Sequence, residues 1–455
     1  MKTKLLTALM VFTCVSASTN LLHAGAGSLD LTFNPGSGAD GQINCIALET
    51  NGQIVIGGSF THYNGVSQNH IARLNADGSL DSSFYPGVGP NGNLTCVAAQ
   101  PNGEIFIAGG YSQLNGLSWN QPALLRLDGS VDTGFNTQSA NGVNNVNAMV
   151  LQTDGKVVVG GNFGVSIARF NTNGTADATF NPGTGANATV STLGIQSNGQ
   201  IIVGGYFTSV NNSNRIGLAR LNANGSVDST FNALIQSGNV YSLVVTPQDK
   251  IVIGGTFTSI NGYSRNYIAR LNADGSVDTG FNPGSGASSY VTSVAIQTNG
   301  QVIISGALTS FNGTSVAGGL ARLNTNGTLD VTFNTGTGPN GSIGVLAMVG
   351  QPDGRNLIAG QFTSFNGTNI NRIARLSSAT SSMTLNLLNA NNYFGMFVQG
   401  TVGYGYRVEY ASKLNTTNLW TPLTNLTLQA NPQFIYDPTT TATGARFYRA
   451  VQISP

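Results

Sequence analysis

The chain has 455 residues, with 19 Lys and Arg against 18 Asp and Glu, a formal net charge of +1 and only 8 % charged residues, where soluble domains carry about 25 %. Such a chain has no electrostatic attraction to nucleic acid or to an anionic membrane surface. Its 60 glycines, with many Asn, Ser and Thr between short apolar runs, exclude a helical protein and point to turn-rich β structure.

At the N-terminus, Lys2 and Lys4 precede an apolar run from Leu5 to Val15, and Ala24-Gly25-Ala26 forms a small-x-small cleavage site before Gly27. Residues 1–26 therefore read as a signal peptide, and the mature chain is expected to be secreted or associated with the cell envelope. No later run reaches the about 20 apolar residues of a membrane span. Cleavage leaves Cys45 and Cys96, 51 residues apart. They share a seat with Ala148, Thr192, Ser242, Ser293 and Val345, so they read as small core residues.

From residue 27 to 376 a block of about 50 residues recurs seven times, marked by Asp-x-x-Phe cassettes at Asp30, Asp81, Asp132, Asp177, Asp228, Asp278 and Asp330. Each block holds four strand-like runs, a to d. Runs a and b are joined by Asn-Gly or Asp-Gly dipeptides suited to tight hairpins, and c and d by Asn-x-Asp-Gly turns such as Asn75-Ala76-Asp77-Gly78. Four-stranded meanders at this period predict an all-β, seven-bladed β-propeller. The chain enters on a lone d run, SLDLTFNP from Ser28, and the last block stops after run c at Leu376. The N-terminal strand should close the ring, which also hides exposed sheet edges.

Alternation of the strands puts the a-to-b and c-to-d turns on one face and the longer b-to-c and d-to-a connections on the other. After a Ser, Ala and Thr linker at 377–382, six candidate strands in residues 383–455 predict a small C-terminal β-sandwich module.

Within the Asn-x-Asp-Gly hairpin the register sets Arg73 opposite Asp81, Arg220 opposite Asp228 and Arg270 opposite Asp278. These repeated pairs read as structural. The copy with Arg126-Leu127-Asp128-Gly129 counts two residues shorter. Of fifteen aspartates, seven belong to cassettes and six to hairpin turns, leaving Asp40 and Asp437, and the three glutamates are scattered. No facing carboxylate pair of the glycosidase kind emerges. His62 and His70 share one loop without the carboxylate or thiolate help a metal needs, and Asn75, Asp77, Ser79 and Asp81 lack the order of a calcium loop. Neither metal nor cofactor is expected. Gly36-Ser37-Gly38-Ala39-Asp40-Gly41 matches a dinucleotide fingerprint literally, but no helix follows to receive a pyrophosphate.

The b-to-c loops vary most, and Tyr63, Trp119, Tyr263 and Arg265 on them are the candidate ligand-binding residues, since exposed aromatics with amide neighbours suit sugars or peptides. In the third block Phe163 runs almost directly into Ile167, deleting this loop. The units IVIGGTFTSINGYSRNYIARLNADGSVDTGFNPGSGA and QPNGEIFIAGG closely resemble the delta-sixty repeat of bacterial exported proteins, a β-propeller family. The resemblance implies a propeller in a secreted or envelope setting and carries no catalytic residues. The tail YGYRVEYASKLNTTNLWTPL and RFYRA looks like small C-terminal β modules of other bacterial exported proteins. The expectation is a monomeric, non-catalytic extracellular binding or interaction scaffold for a glycan or envelope protein. The alternatives are a polysaccharide-active propeller enzyme and a purely structural surface or matrix component.

Overall fold

The computed structural model describes residues 26–137, 142–341 and 343–378, together with six strands of the C-terminal region. Apart from Ala26, the expected signal peptide lies outside the described residues. The chain divides into two compact units, Gly25–Ser381 and Ser382–Ile453.

In the larger unit the repeat makes seven three-stranded antiparallel sheets, each ordered a-b-c. In the first, strand a is Ile43–Leu48, b is Ile54–Gly58 and c is Ile71–Leu74. Strand b is buried along its whole length in every copy. That burial explains its continuous apolar run, since a strand covered on both faces has no polar side to alternate with. Neighbouring a strands pack against one another from unit to unit, and strand a of unit 1 also meets strand a of unit 7. The inner strands thus encircle a central axis, and the architecture is a β-propeller of seven repeat units.

The expected d strand shrinks to a single bridge in each copy, such as Leu80 to Leu74 or Val277 to Leu271. The cassette itself is the reason. Phe84 N donates to Asp81 O at 3.3 Å and Ser83 N to Asp81 Oδ1 at 2.9 Å, so Asp81 folds the next three residues into a turn instead of extending them.

Strand b ends on a glycine where strand a bulges. A Cβ on Gly58 would lie 2.0 Å from the Gln42 carbonyl oxygen, and one on Gly255 1.9 Å from that of Asn239. Only glycine permits so close a backbone approach. The core is divided among clusters that straddle neighbouring units. One joins Ile202 and Leu218 to Ile251 and Phe257, and another joins Leu357 and Ile373 of unit 7 to Ile43 and Ile54 of unit 1.

The Arg and Asp pairs staple these units. Arg220 Nε donates to Asp228 Oδ2 at 2.8 Å, its guanidinium lies 4.8 Å from the Phe231 ring centroid, and its Nη1 reaches the Ala273 carbonyl of the next unit at 2.5 Å. Arg73 with Asp81, Arg169 with Asp177, Arg270 with Asp278 and Arg322 with Asp330 repeat the pair. Arg375 makes the same pair with Asp30, and its Nη1 donates to Ala76 O at 2.6 Å. Beside it Leu29 bridges Leu376, and the buried Ala26 accepts from Asn334 N at 2.7 Å.

Two details correct the sequence reading. The turn after Arg126 is not shortened: Asp132 N donates to Leu124 O as Asp81 N does to Arg73 O, so Leu124 holds the arginine seat and Arg126 has moved onto the turn. Phe135 there packs edge-on against Phe106 at 5.1 Å, replacing the cation over the ring with an apolar contact. The seventh residue in the cysteine seat is Ala347, which faces Ala359 as Cys45 faces Gly57, not Val345. Cys45 and Cys96 are free and buried.

The C-terminal unit contains strands Leu385–Ala390, Tyr393–Val398 and Gln433–Asp437 in one antiparallel sheet. A second sheet is built from Gly405–Ala411, Thr421–Thr427 and Phe447–Ser454. Within the second sheet Arg407 Nε donates to the buried Glu409 at 2.7 Å.

Candidate functional site

Each b-to-c connection except that of unit 3 rises as a two-residue ribbon, for example His62–Tyr63 with Val66–Ser67 and Ser259–Ile260 with Tyr263–Ser264. The second residue of the ribbon bridges the preceding d-to-a loop: Tyr63 to Ala39, Leu114 to Pro90, Val210 to Ala186 and Phe311 to Ala287. That seat is buried in every ribbon. It pins the loop below while the ribbon tip projects outward.

The four candidate ligand residues therefore part company. Tyr63 is fully buried, and its hydroxyl donates to Gly78 O at 2.8 Å. It is the unit 1 version of the plug that Leu114 and Phe311 supply elsewhere, and it is not a recognition group. Burial pushes its phenol far above the ordinary range. Trp119 is partly buried against the cluster of Tyr111 and Leu114, and its Nε1 has no hydrogen-bond partner. Tyr263 is 47 % exposed at its ribbon tip. Arg265 lies 5.6 Å from that ring, is itself buried and donates to Ser264 O at 2.9 Å, so it supports Tyr263 from behind. Tyr263 and Arg265 touch, while Tyr63 and Trp119 belong to the packing of units 1 and 2.

Asp40 and His62 form the one ionisable contact on the ribbons of unit 1. Asp40 Oδ1 accepts from the backbone of Thr61 and His62 at 2.8 and 2.9 Å, and Oδ2 lies 3.0 Å from His62 Nδ1. Burial acts to raise the Asp40 carboxyl, but these hydrogen bonds outweigh it and hold it well below the usual range. Asn91, Asn187, Ser288 and Asn340 make the same caps in other units, so Asp40 is a loop cap. The Gly36 loop leads into strand Ile43–Leu48 and no helix. Among the described residues no three His, Cys, Asp or Glu side chains gather as a metal ion would need, and no helix is long and apolar enough to cross a membrane.

An arrangement that the sequence did not reveal lies closer to the axis. Tyr206 follows strand Ile201–Gly205 of unit 4, Tyr241 is second in the inner strand Val240–Val245 of unit 5, and Tyr290 precedes the inner strand Val291–Ile296 of unit 6. Their rings form a row: Tyr206 to Tyr241 is 5.5 Å at 36°, and Tyr241 to Tyr290 is 6.2 Å at 80°. Tyr206 is 48 % exposed, and the other two are partly exposed. Partial burial and the adjoining Tyr241 phenol raise the Tyr206 pKa. Aligning the repeats would have flagged Tyr206, since Ser59, Gly110, Asn162 and Thr256 stand at its place elsewhere.

A family model described as a domain of unknown function (DUF5122) beta-propeller matches residues 49–84, 100–135, 152–180, 196–231, 247–281, 297–333 and 351–379, just over half of the chain. No curated protein matches it by sequence. Among solved structures it is similar to selenomethionine-substituted virginiamycin B lyase from Staphylococcus aureus, with 12 % identity over 74 % of this chain and 94 % of that one and a TM-score of 0.48. It is also similar to the extracellular domain of a hybrid two component system from B. thetaiotaomicron, with 14 % identity over 87 % and 47 % and a TM-score of 0.48. YCF48 bound to D1 peptide aligns at 14 % identity over 78 % and 99 %, with a TM-score of 0.46. Likeness at this level says nothing about ligand or reaction.

Proposed function

The chain belongs to the DUF5122 β-propeller family, and from that premise we propose that it is an exported, non-catalytic scaffold whose longer-loop face binds a glycan or an envelope protein. One observation carries the reading. The buried seat of each ribbon is apolar in every copy, whereas the exposed tips differ from unit to unit, with Val66, Leu117 and Tyr263 at 50, 67 and 47 % exposure. The seats change in size but stay buried and largely apolar, whereas the tips change in chemical character, which separates support from recognition. The carboxylates support the same reading, since the cassette aspartates are engaged by arginines and Asp40 by the backbone it caps. A propeller can host many activities, so the fold alone does not choose among them.

In the full proposal, the signal peptide is removed near Ala26, the N-terminal segment closes a monomeric ring through Asp30 and Arg375, and the C-terminal sheets form a sandwich that spaces or tethers the propeller. The test is binding of the purified exported chain to arrayed polysaccharides and envelope fractions, beside a Val66→Ser, Leu117→Ser, Tyr263→Ser variant. Saturable binding weakened in the variant is expected. Absence of saturable binding to any fraction would overturn the scaffold reading in favour of a structural surface component.

A further inference from the structure

We infer that the Tyr206, Tyr241 and Tyr290 row is a binding site at the axial end of the longer-loop face, and that its ligand is an uncharged saccharide chain. The inference rests on the reading of that face as a binding surface but uses none of the ribbon residues. Three consecutive units each contribute one ring, and the rings are 5.5 and 6.2 Å apart between centroids. The fold does not require tyrosine at these places. Where unit 4 has Tyr206, other units have Ser59, Asn162, Thr256 or Ala307. Where unit 5 has Tyr241, others have Asn44, Thr95 or Thr292.

In units 1 to 3 that second position of the inner strand has a structural task. Asn44 Nδ2 donates to Leu94 O at 2.8 Å, Thr95 Oγ1 to Val146 O, and Asn147 Nδ2 to Val190 O at 3.4 Å. Each side chain thereby staples its strand to the next unit. A phenol ring extends beyond the reach of that staple. In its place unit 5 presents aromatic surface that remains partly open to solvent.

The surroundings select the ligand. The same ends of the strands in units 4 to 6 carry Thr189, Ser191, Asn239, Thr256 and Thr292, which are hydroxyls and amides without charge. Among these strand-end groups an anionic or cationic ligand would lose hydration and meet no counter-ion. A pyranose ring offers an apolar C–H face to each tyrosine and hydroxyls to the neutral groups beside it, and Tyr is suited to both because it pairs a flat apolar body with one polar tip. Ligand sites generally combine apolar lining with a few such placed polar groups.

The experiment titrates the full chain with neutral β-1,4-linked and α-1,4-linked glucose hexasaccharides, an acidic galacturonate hexasaccharide and a neutral hexapeptide, followed by calorimetry and by tyrosine difference absorbance. A neutral saccharide is expected to bind, to perturb tyrosine absorbance and to be insensitive to salt. Tyr241→Ala and Tyr206→Ala are each expected to weaken it about tenfold, and Tyr206→Phe to leave it near wild type. Tyr206 is half exposed, so its alanine variant keeps the test valid if Tyr241→Ala unfolds. Binding of neither neutral saccharide, preference for the acidic chain or the peptide, or undiminished binding in Tyr206→Ala would each overturn the inference. Loss of envelope binding in the ribbon-tip variant, with the tyrosine variants unaffected, would overturn this site while upholding the broader scaffold.

Discussion

Arg375 Nε donates to Asp30 Oδ2 at 2.7 Å across 345 positions of the chain. Five other copies of this pair join residues eight apart within one hairpin, so here the two ends of the repeat array replace a local turn. Arg355 Nη1 also donates to Asp30 at 2.9 Å. Asp30→Ala removes the only carboxylate paired with Arg375 among the described residues, and Arg375 is 5 % exposed, while Arg355 keeps Asp353 Oδ2 at 2.6 Å. A loss of about 3–5 kcal/mol is expected. Arg126→Ala breaks a pair whose arginine is 53 % exposed and should cost under about 1 kcal/mol. Urea unfolding of the two variants decides the matter, and equal losses would contradict this account of the clasp.

Acid stability follows from the same carboxylate. Burial acts to raise the Asp30 carboxyl, but hydrogen bonds from Thr32 and Arg355 and the charge of Arg375 outweigh it and hold it at about 2. Asp81, Asp228 and Asp330 are lowered too, with burial opposed by neighbouring hydroxyl, backbone and arginine donors, as is Asp278, where burial is opposed by Lys250, Arg270 and the Gly280 backbone. A depressed carboxylate contributes stability that is complete above its unfolded pKa of about 3.9 and is lost as pH falls through the folded value. The melting temperature should therefore fall between about pH 4 and pH 2. Glu49 has the opposite sign, because burial raises it above 4.5. Its contribution is present below the unfolded value and is lost as pH rises through the folded one. At neutral pH Glu49→Gln should thus be neutral or stabilising where Asp30→Asn is destabilising, and calorimetric scans showing equal losses would refute the assignment.

Tyr63 should behave as core and not as a ligand contact. Tyr63→Phe removes only the bond to Gly78 O and is expected to cost about 1 kcal/mol, while Tyr63→Ala opens a cavity worth about 3–5 kcal/mol. Polysaccharide or envelope binding by the folded Tyr63→Phe protein should match wild type. Weakened binding at unchanged stability would restore Tyr63 as a recognition group.

The thiols provide a probe of unit packing. Burial raises both, Cys45 further through its neighbour Cys96 and Cys96 itself to about 12. A thiol so held is inert, because the thiolate is the reactive form. An aromatic disulfide reagent at pH 8 should titrate neither thiol in the native chain and both in urea. Fast native labelling would show that the seam around the labelled thiol opens readily, between units 1 and 2 for Cys45 and between units 2 and 3 for Cys96.

The pairs read correctly from the residues were local ones. Arg220 and Asp228 are joined by a hairpin whose register is set by Asn222 to Ser226, so spacing alone placed them together. Tyr63 was misread because its burial depends on Ala39, which comes from the preceding d-to-a loop. Arg126 was misplaced because counting from the arginine presumes that the arginine stays in its seat, whereas the hydrogen bond from Asp132 to Leu124 shows that it does not. The d strand was overextended for a related reason: SVDTGF alternates like a strand, but Asp278 accepts from its own backbone at Gly280 and turns the chain.

The sequence by itself determined the seven-fold repeat, the hairpin turns and the pairing within each unit, because these rest on side-chain period, on residues tolerant of left-handed backbone and on contacts a few positions apart. Tertiary structure alone decided which loop aromatics are plugs, which arginines reach the next unit, and that Tyr206, Tyr241 and Tyr290 share one row. Those outcomes depend on neighbours about 25 to 55 residues away, brought together only when the loops and inner strands of the units pack side by side.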